Sequence, residues 1–331
     1  MGKGFHVFVL IVIFAVSAIV FSACGGSSSD GKDDGTIGDK VGDLLNGSLK
    51  GTIQDDANAP DRDNKPRVLE NEATGVKVFD GNGANVDCSN AADGYVLASY
   101  DGDNPKVKIQ ITKDGSDTYT YDVEANSGFH AFPLSDGSGN YNIAMFLNVK
   151  EDQYSQACAQ AVQADITDKY SPFLRPNQYC AYTGSTKAVA KASEVAEGAK
   201  SDLKVIENAF LFVTSHVKYD YDLAANVQSG YIPDVDKTLA TGMGICFDYA
   251  SLTSCMLRTQ GIPCRLTVGY AGPAYHAWIS VHVEGIGWVA NMIQFNGDEW
   301  TLMDPTFAAS GDRADPNVVG DGENYNPVYY Y

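Results

Sequence analysis

The chain predicts an α+β protein built in two successive parts. Three observations carry this. From about Val76 to Thr167, short alternating apolar segments are separated by turn-forming Gly and Asp clusters. From Ser185 to about Val217, and again from Gly244 to Gln260, apolar residues recur at helical spacing. After the second of these, three further strand-like runs close the pattern. Strands grouped first, then helices beside a few strands, argue for an all-β unit followed by a unit with a helix on an antiparallel sheet.

The elements follow in chain order. Residues 1–23 carry Lys3, an unbroken apolar run from Val7 to Val20, and Phe21-Ser22-Ala23-Cys24. This is the pattern of a secretory signal. A small residue before a cysteine, followed by Gly25-Gly26-Ser27-Ser28-Ser29, resembles the lipobox of bacterial lipoproteins, although Phe21 stands where leucine is usual. The resemblance implies acylation of Cys24 and a membrane-anchored lipoprotein at the cell surface. The other reading is an uncleaved anchor, since Val7 to Ala23 is just long enough to span a bilayer. Both readings put the rest of the chain outside the cytoplasm. Residues 24–67, rich in Gly, Asp, Ser and Lys, read as a flexible acidic tether.

Residues 68–180 carry strands at Tyr95–Tyr100, Val107–Thr112, Thr118–Val123, Tyr141–Val149 and Cys158–Ile166. Turn signals such as Lys113-Asp114-Gly115-Ser116-Asp117 stand between them. The spacing fits an all-β, immunoglobulin-like sandwich. His130 has no ligand or catalytic pattern around it and reads as structural. A connector, Ser171-Pro172-Phe173-Leu174-Arg175-Pro176, closes this part.

Residues 181–331 form the second unit. Val205, Ala209, Phe212 and Val213 share a helix face, and His216 falls near that helix's C-terminus, where it complements the dipole. The Gly244–Gln260 segment opens on glycines and stops at Gly261 and Pro263, so Cys246 falls in its first turn. Arg265–Tyr270, His276–Val283 and Trp300–Asp304 follow as strands. The terminal Asn324–Tyr331 run reads as a Tyr-rich edge strand packed on the core.

Charge and cysteine count bound the function. The formal net charge is −19, which repels phosphate backbones and anionic lipid headgroups, so nucleic acid is excluded as a partner. Of seven cysteines, Cys24 is set aside for lipid and Cys246 for chemistry. Cys255 and Cys264 read as buried fillers. A disulfide among Cys88, Cys158 and Cys180 suits an oxidising compartment, but spacing cannot choose the pair. No C-x-x-C, H-E-x-x-H or EF-hand spacing occurs, so no metal or other cofactor is expected. Ser251 and Ser254 lack the setting of a serine hydrolase.

Cys246, His276 and Asp304 occur in the order of a thiol nucleophile, its base and an orienting carboxylate. A helix N-terminus favours thiolate over thiol, which is what a nucleophile in the first turn requires. His276 and His282 share a strand face about 20 Å apart, so only one can serve the thiol. His276, beside the Gly-Pro loop, is the candidate. Taken singly, a cysteine is more often a filler and a histidine more often structural; the ordered set carries the reading.

The segments G-x-G-x-C-x-D-Y-A at Gly242–Ala250, G-I-P-C-R at Gly261–Arg265, H-A-W at His276–Trp278 and D-P-T-F at Asp304–Phe307 resemble the transglutaminase-like superfamily. The resemblance covers about Phe210 to Phe307 and includes the Tyr231-Ile232-Pro233-Asp234 loop. It implies a papain-like α+β core with Cys246 as nucleophile, His276 as general base and acid, and Asp304 as orienter. It implies acyl transfer on amides of peptides, proteins or cell-wall peptides, with hydrolysis as the first expectation. Protein cross-linking, or a non-catalytic binding protein on the same fold, are the alternatives. The Cys246 backbone N–H is the natural oxyanion donor. Gln228 and Tyr231 are candidates for a second donor or for lining the substrate groove, and Gly244 leaves room for a substrate carbonyl.

Overall fold

The computed structural model describes residues 60–271, 274–285, 287–290, 293–295, 300–302 and 325–331, together with a short strand β1 at Ile11–Ile13. The first unit contains β2 (Val78–Gly81), β3 (Ala84–Asp87), β4 (Tyr95–Tyr100), β5 (Val107–Lys113), β6 (Thr118–Val123), β7 (His130–Pro133), β8 (Gly139–Lys150) and β9 (Gln153–Ala164). They form two antiparallel sheets, β2-β3-β4-β7 and β1-β9-β8-β5-β6. Val86, Val96 and Phe132 of one sheet and Ile109, Ile143 and Met145 of the other belong to a single buried cluster.

The strand order differs from the immunoglobulin one. Lettered from β2, the sheets are A-B-C-F and H-G-D-E, whereas immunoglobulin domains pair A-B-E-D and C-F-G. Local turns are the reason. β2 and β3 are joined by Asn82-Gly83, both at positive φ, the conformation of a two-residue hairpin turn. β5–β6 and β8–β9 are likewise joined by short turns, so chain neighbours become sheet neighbours. A side chain at Gly83 would also meet the Asp101 carbonyl at 2.4 Å.

The expected tether does not extend to Arg67. By residue 62 the chain is fastened to the second unit: Arg62 pairs with Asp202 at 2.7 Å and donates to the Gln260 carbonyl, and the Arg67 N–H donates to the Thr259 carbonyl at 2.7 Å.

The second unit contains α1 (Lys187–Ala196), α2 (Asp202–His216), β10 (Lys218–Tyr219), α3 (Tyr221–Asn226), α4 (Val235–Thr241), β11 (Met243–Gly244) and α5 (Cys246–Arg258). Then come β12 (Cys264–Ala271), β13 (Ala274–Val283), β14 (Gly287–Ala290), β15 (Ile293–Phe295), β16 (Trp300–Leu302) and β17 (Tyr325–Tyr330). The single helical stretch expected from Ser185 to Val217 is two helices, broken at Gly198, whose φ is 77°. Helices α1, α2 and α4 surround α5, which lies on the antiparallel sheet β14-β13-β12-β17.

Two features fix α5. Arg258, 1% exposed, donates to the carbonyls of Cys264 (2.9 Å), Arg175 (2.8 Å) and Tyr331 (2.5 Å). One guanidinium thus ties three chain segments together through their carbonyls, that of Tyr331 also accepting from the Leu266 N–H at 2.9 Å. β17 is an edge strand on β12, and tyrosines in it and just after it also reach the first unit: Tyr119 meets Tyr329 at 5.1 Å and Tyr121 meets Tyr331 at 5.7 Å between ring centroids. Such pairs contribute about 0.5–1.5 kcal/mol each beyond burial. Cys88, Cys158, Cys180, Cys255 and Cys264 are buried free thiols, with no disulfide among the described residues.

Candidate active site

Cys246 is the first residue of α5 and is partly exposed, whereas the next turns of the helix are buried. The N–H groups of a helix's first turn have no partner within the helix. Those of Cys246 and Phe247 are therefore available beside the thiol.

The start of α5 is built by a residue outside the expected set. Asp248, 2% exposed, accepts from the Ile245 N–H at 2.8 Å and from the Tyr231 hydroxyl at 2.7 Å. The first bond is the reciprocal half of a capping box; Ile245 has no side-chain acceptor to supply the other half. Burial pushes the Asp248 carboxyl above its ordinary range, against the lowering effect of those two bonds. Asp248 therefore ties the Tyr231 loop to the helix that presents the thiol.

Each of the three expected groove residues meets a neighbour within the protein. Tyr231 is turned to Asp248, so its hydroxyl does not serve as an oxyanion donor here. Gln228 is exposed and donates to the Asn226 carbonyl at 2.8 Å, a local bond on a surface loop. Gly244 packs against Asp248: a Cβ there would stand 2.6 Å from the Asp248 Cβ. Gly242, at φ 60°, ends α4 in the left-handed conformation.

α5 runs so that its C-terminus meets the start of β12. Ser254 Oγ lies 3.4 Å from Cys264 Sγ, and Cys264 pairs with Val281 of β13. From Ser254 back to Cys246 is about 12 Å along a helix. From Val281 back to His276 is about 17 Å along a strand. Cys246 and the start of β13 thus occupy the same end of the unit. Tyr275 is there too: desolvation, then Tyr329, Tyr270 and Cys246, push its hydroxyl up to about 12.

His276 is 7% exposed and pairs in register with Gly269. Its ring stacks near Trp278 (6.2 Å, 21°) and lies 6.4 Å from that of Tyr325. Strand alternation puts it with Trp278 and Ser280, while Ala277, Ile279 and Val281 share the face of Cys264, against α5. The imidazole thus belongs to the opposite face of β13, at the end where the thiol stands. His282 is at the far end. Its Nε2 lies 2.8 Å from the Tyr170 hydroxyl, and burial, Lys169 and Arg265 lower its pKa. His216 ends α2, with its Nε2 2.7 Å from the Leu239 carbonyl. Asp304 and Cys24 lie outside the described residues.

A model of the transglutaminase-like superfamily matches residues 189–291. UPF0252 protein MJ1282 of Methanocaldococcus jannaschii is 26% identical over 201 residues, 54% of this chain and 56% of that protein. Kyphoscoliosis peptidase of Mus musculus is 26% identical over 129 residues, 35% of this chain and 17% of that one. The chain thus spans just over half of the archaeal relative and a small part of the mouse peptidase. Among solved structures, a candidate cysteine protease from Cytophaga hutchinsonii overlays with a TM-score of 0.34 at 17% identity, covering 72% of this chain and 68% of that one. Red sea bream transglutaminase overlays with a TM-score of 0.29 at 11% identity, covering 70% and 54%. At these scores the overlays carry no argument about function. The family match takes in Cys246, His276 and the elements that bring them to one end of the unit, and residues 189–291 are a domain of the transglutaminase-like superfamily.

Proposed function

We propose that the protein is a cysteine acyl-transfer enzyme that hydrolyses amide bonds of peptides or proteins. The observation that carries this reading is the placement of Cys246 at the first position of α5, partly exposed, at the end of the unit where β13 begins with Tyr275-His276. In this reading the Cys246 thiolate adds to the substrate carbonyl, and the N–H groups of the first helical turn receive the developing oxyanion. His276, protonated by the thiol, gives that proton to the leaving amine as the C–N bond breaks, leaving a thioester on Cys246. Water, deprotonated by His276, then displaces the thiolate and releases the acid. Asp304 would accept from the other imidazole nitrogen and hold its tautomer. Since strand alternation aims His276 to the face away from α5, the pair has to form around the open end of β13.

The relative named as a peptidase, matched over 129 residues, supports a peptide or protein substrate. We place the protein at the cell surface, held by lipid on Cys24, on the strength of the sequence pattern there. The test is a peptide-library digestion with the wild-type and Cys246→Ala proteins, read by mass spectrometry. The reading expects new peptide ends from the wild type alone and an acyl adduct on Cys246 in rapidly quenched samples. Identical digests from both proteins would overturn it.

A further inference from the structure

The face of β13 that packs on α5 changes character at the end where the thiol stands. Val281, Ile279 and Ala277 on that face are buried, as are their partners Cys264, Leu266 and Val268 in β12. The next pair on the same face is Tyr270 with Tyr275, and Tyr275 is 55% exposed. A single exposed aromatic side chain needs no explanation. This one is not isolated.

Tyr275 is the outermost member of an aromatic cluster that reaches the residue after the thiol. Its ring stands edge-on to Tyr270, with centroids 5.5 Å apart. It helps to raise the hydroxyl pKa values of Tyr179 and Tyr331, whose rings lie 4.7 Å from each other. Tyr179 in turn lies 5.2 Å from Phe247, which follows Cys246 in α5. Phe247, Tyr179 and Tyr270 are half-buried, so the cluster keeps an open edge beside Tyr275. The thiol belongs to the same surroundings. Cys246 is one of the groups whose charge reaches the Tyr275 hydroxyl, together with Tyr329 and Tyr270. Among the described residues no carboxylate and no basic side chain does so, and nothing there favours a charged substrate group.

A partly exposed ring on an aromatic cluster has its best partner in another ring, which can stack offset or edge-on and buries apolar area as it does so. We propose that Tyr275 is a specificity residue that, with Phe247, seats an aromatic side chain of the substrate next to the amide that Cys246 attacks. The inference rests on the reading of Cys246 as the attacking thiol. It adds the substrate class, peptides or proteins with Phe, Tyr or Trp flanking the cleaved bond. The ring of Tyr275 makes the selection. Its hydroxyl, pushed up to about 12 chiefly by burial, is neutral throughout the physiological range and contributes no charge.

The experiment reads selection without needing turnover. The full chain is alkylated with two series of labels, acetyl-Xaa chloromethyl ketones and chloroacetyl-Xaa amides, where Xaa is Phe, Ala, Lys or Glu. The two series place Xaa on opposite sides of the reacting carbon. The rate at Cys246 is measured by peptide mass spectrometry, and each is divided by the rate of the same label with N-acetylcysteine amide. In at least one series the Phe label is expected to react at least fivefold faster than the Ala, Lys and Glu labels. Tyr275→Ala should abolish that ratio, and Tyr275→Phe should keep it. Tyr275→Thr, which removes the ring but suits a strand, gives a second reading should the alanine disturb β13. A smaller ratio in both series, a ratio that survives Tyr275→Ala and Tyr275→Thr, or one lost in Tyr275→Phe would overturn the proposal. So would a Cys246 that no label reaches. Selective labelling with no peptide digestion would keep the aromatic subsite and sink the hydrolytic reading, whereas digestion without selective labelling would do the reverse.

Discussion

Removing the Asp248 carboxylate tests how the nucleophile's helix is started. Asp248→Ala deletes two bonds, from the Ile245 N–H at 2.8 Å and the Tyr231 hydroxyl at 2.7 Å, in a site 2% exposed. Hydrogen bonds to a charged acceptor contribute about 1.5–3 kcal/mol each. Loss of an N-terminal cap costs about 0.5–2 kcal/mol. Against these stands the relief of a buried carboxylate, whose upward pKa shift records its desolvation. The balance is a loss of about 2–4 kcal/mol. Tyr231→Phe removes one bond only and should cost about 1 kcal/mol. Because both changes break the same bond, the double variant should cost less than the sum by about 1 kcal/mol or more. Urea unfolding at pH 7, followed by far-UV circular dichroism, measures all three. A loss under about 1 kcal/mol for Asp248→Ala, or strict additivity with Tyr231→Phe, would refute the idea that Asp248 ties loop to helix.

Other outcomes follow from the same structure. Gly244→Ala drives a methyl to 2.6 Å from the Asp248 Cβ and should cost about 1–3 kcal/mol by overpacking, measured by the same melts; a neutral effect would show that the neighbouring backbone yields freely. Arg258→Leu removes a donor from the carbonyls of Cys264, Arg175 and Tyr331, the last of which keeps the Leu266 N–H, and should cost about 2–4 kcal/mol or prevent folding, read by soluble yield and denaturation. His282 has a folded pKa depressed below 6.5, mainly by burial, so the neutral ring is the one the fold accepts. Its stabilising contribution is complete above pH 6.5 and is lost as pH falls through the folded value. His282→Gln should flatten that part of the stability–pH curve, and an unchanged slope would contradict the assignment.

The sequence disclosed elements wherever local chemistry decides. Tyr95–Tyr100 and Thr118–Val123 are strands at their expected limits, because alternation and Gly-Asp turns act over a few residues. The helix presenting Cys246 was legible from its glycine start and its Gly-Pro stop. The Asn82-Gly83 dipeptide between β2 and β3 carries a hairpin signal of the same local kind. Strand order was not legible, since it depends on which hairpins stack across the core. Asp248 stands within Gly242–Ala250, three residues after Ile245, a spacing that by itself signals a capping carboxylate.

The central claim is that Cys246 is a nucleophile activated by its helix terminus and by His276. The most direct measurement is the pH dependence of alkylation at Cys246 with iodoacetamide, in the wild type and in His276→Ala, quantified by peptide mass spectrometry. Buried Cys88, Cys180 and Cys264, whose thiols burial pushes to about 12, 11 and 12, serve as unreactive internal references. The account predicts rapid labelling of Cys246 well below pH 7 that is lost in His276→Ala. Labelling that follows an ordinary thiol in the wild type, or that is unchanged by the variant, would contradict it.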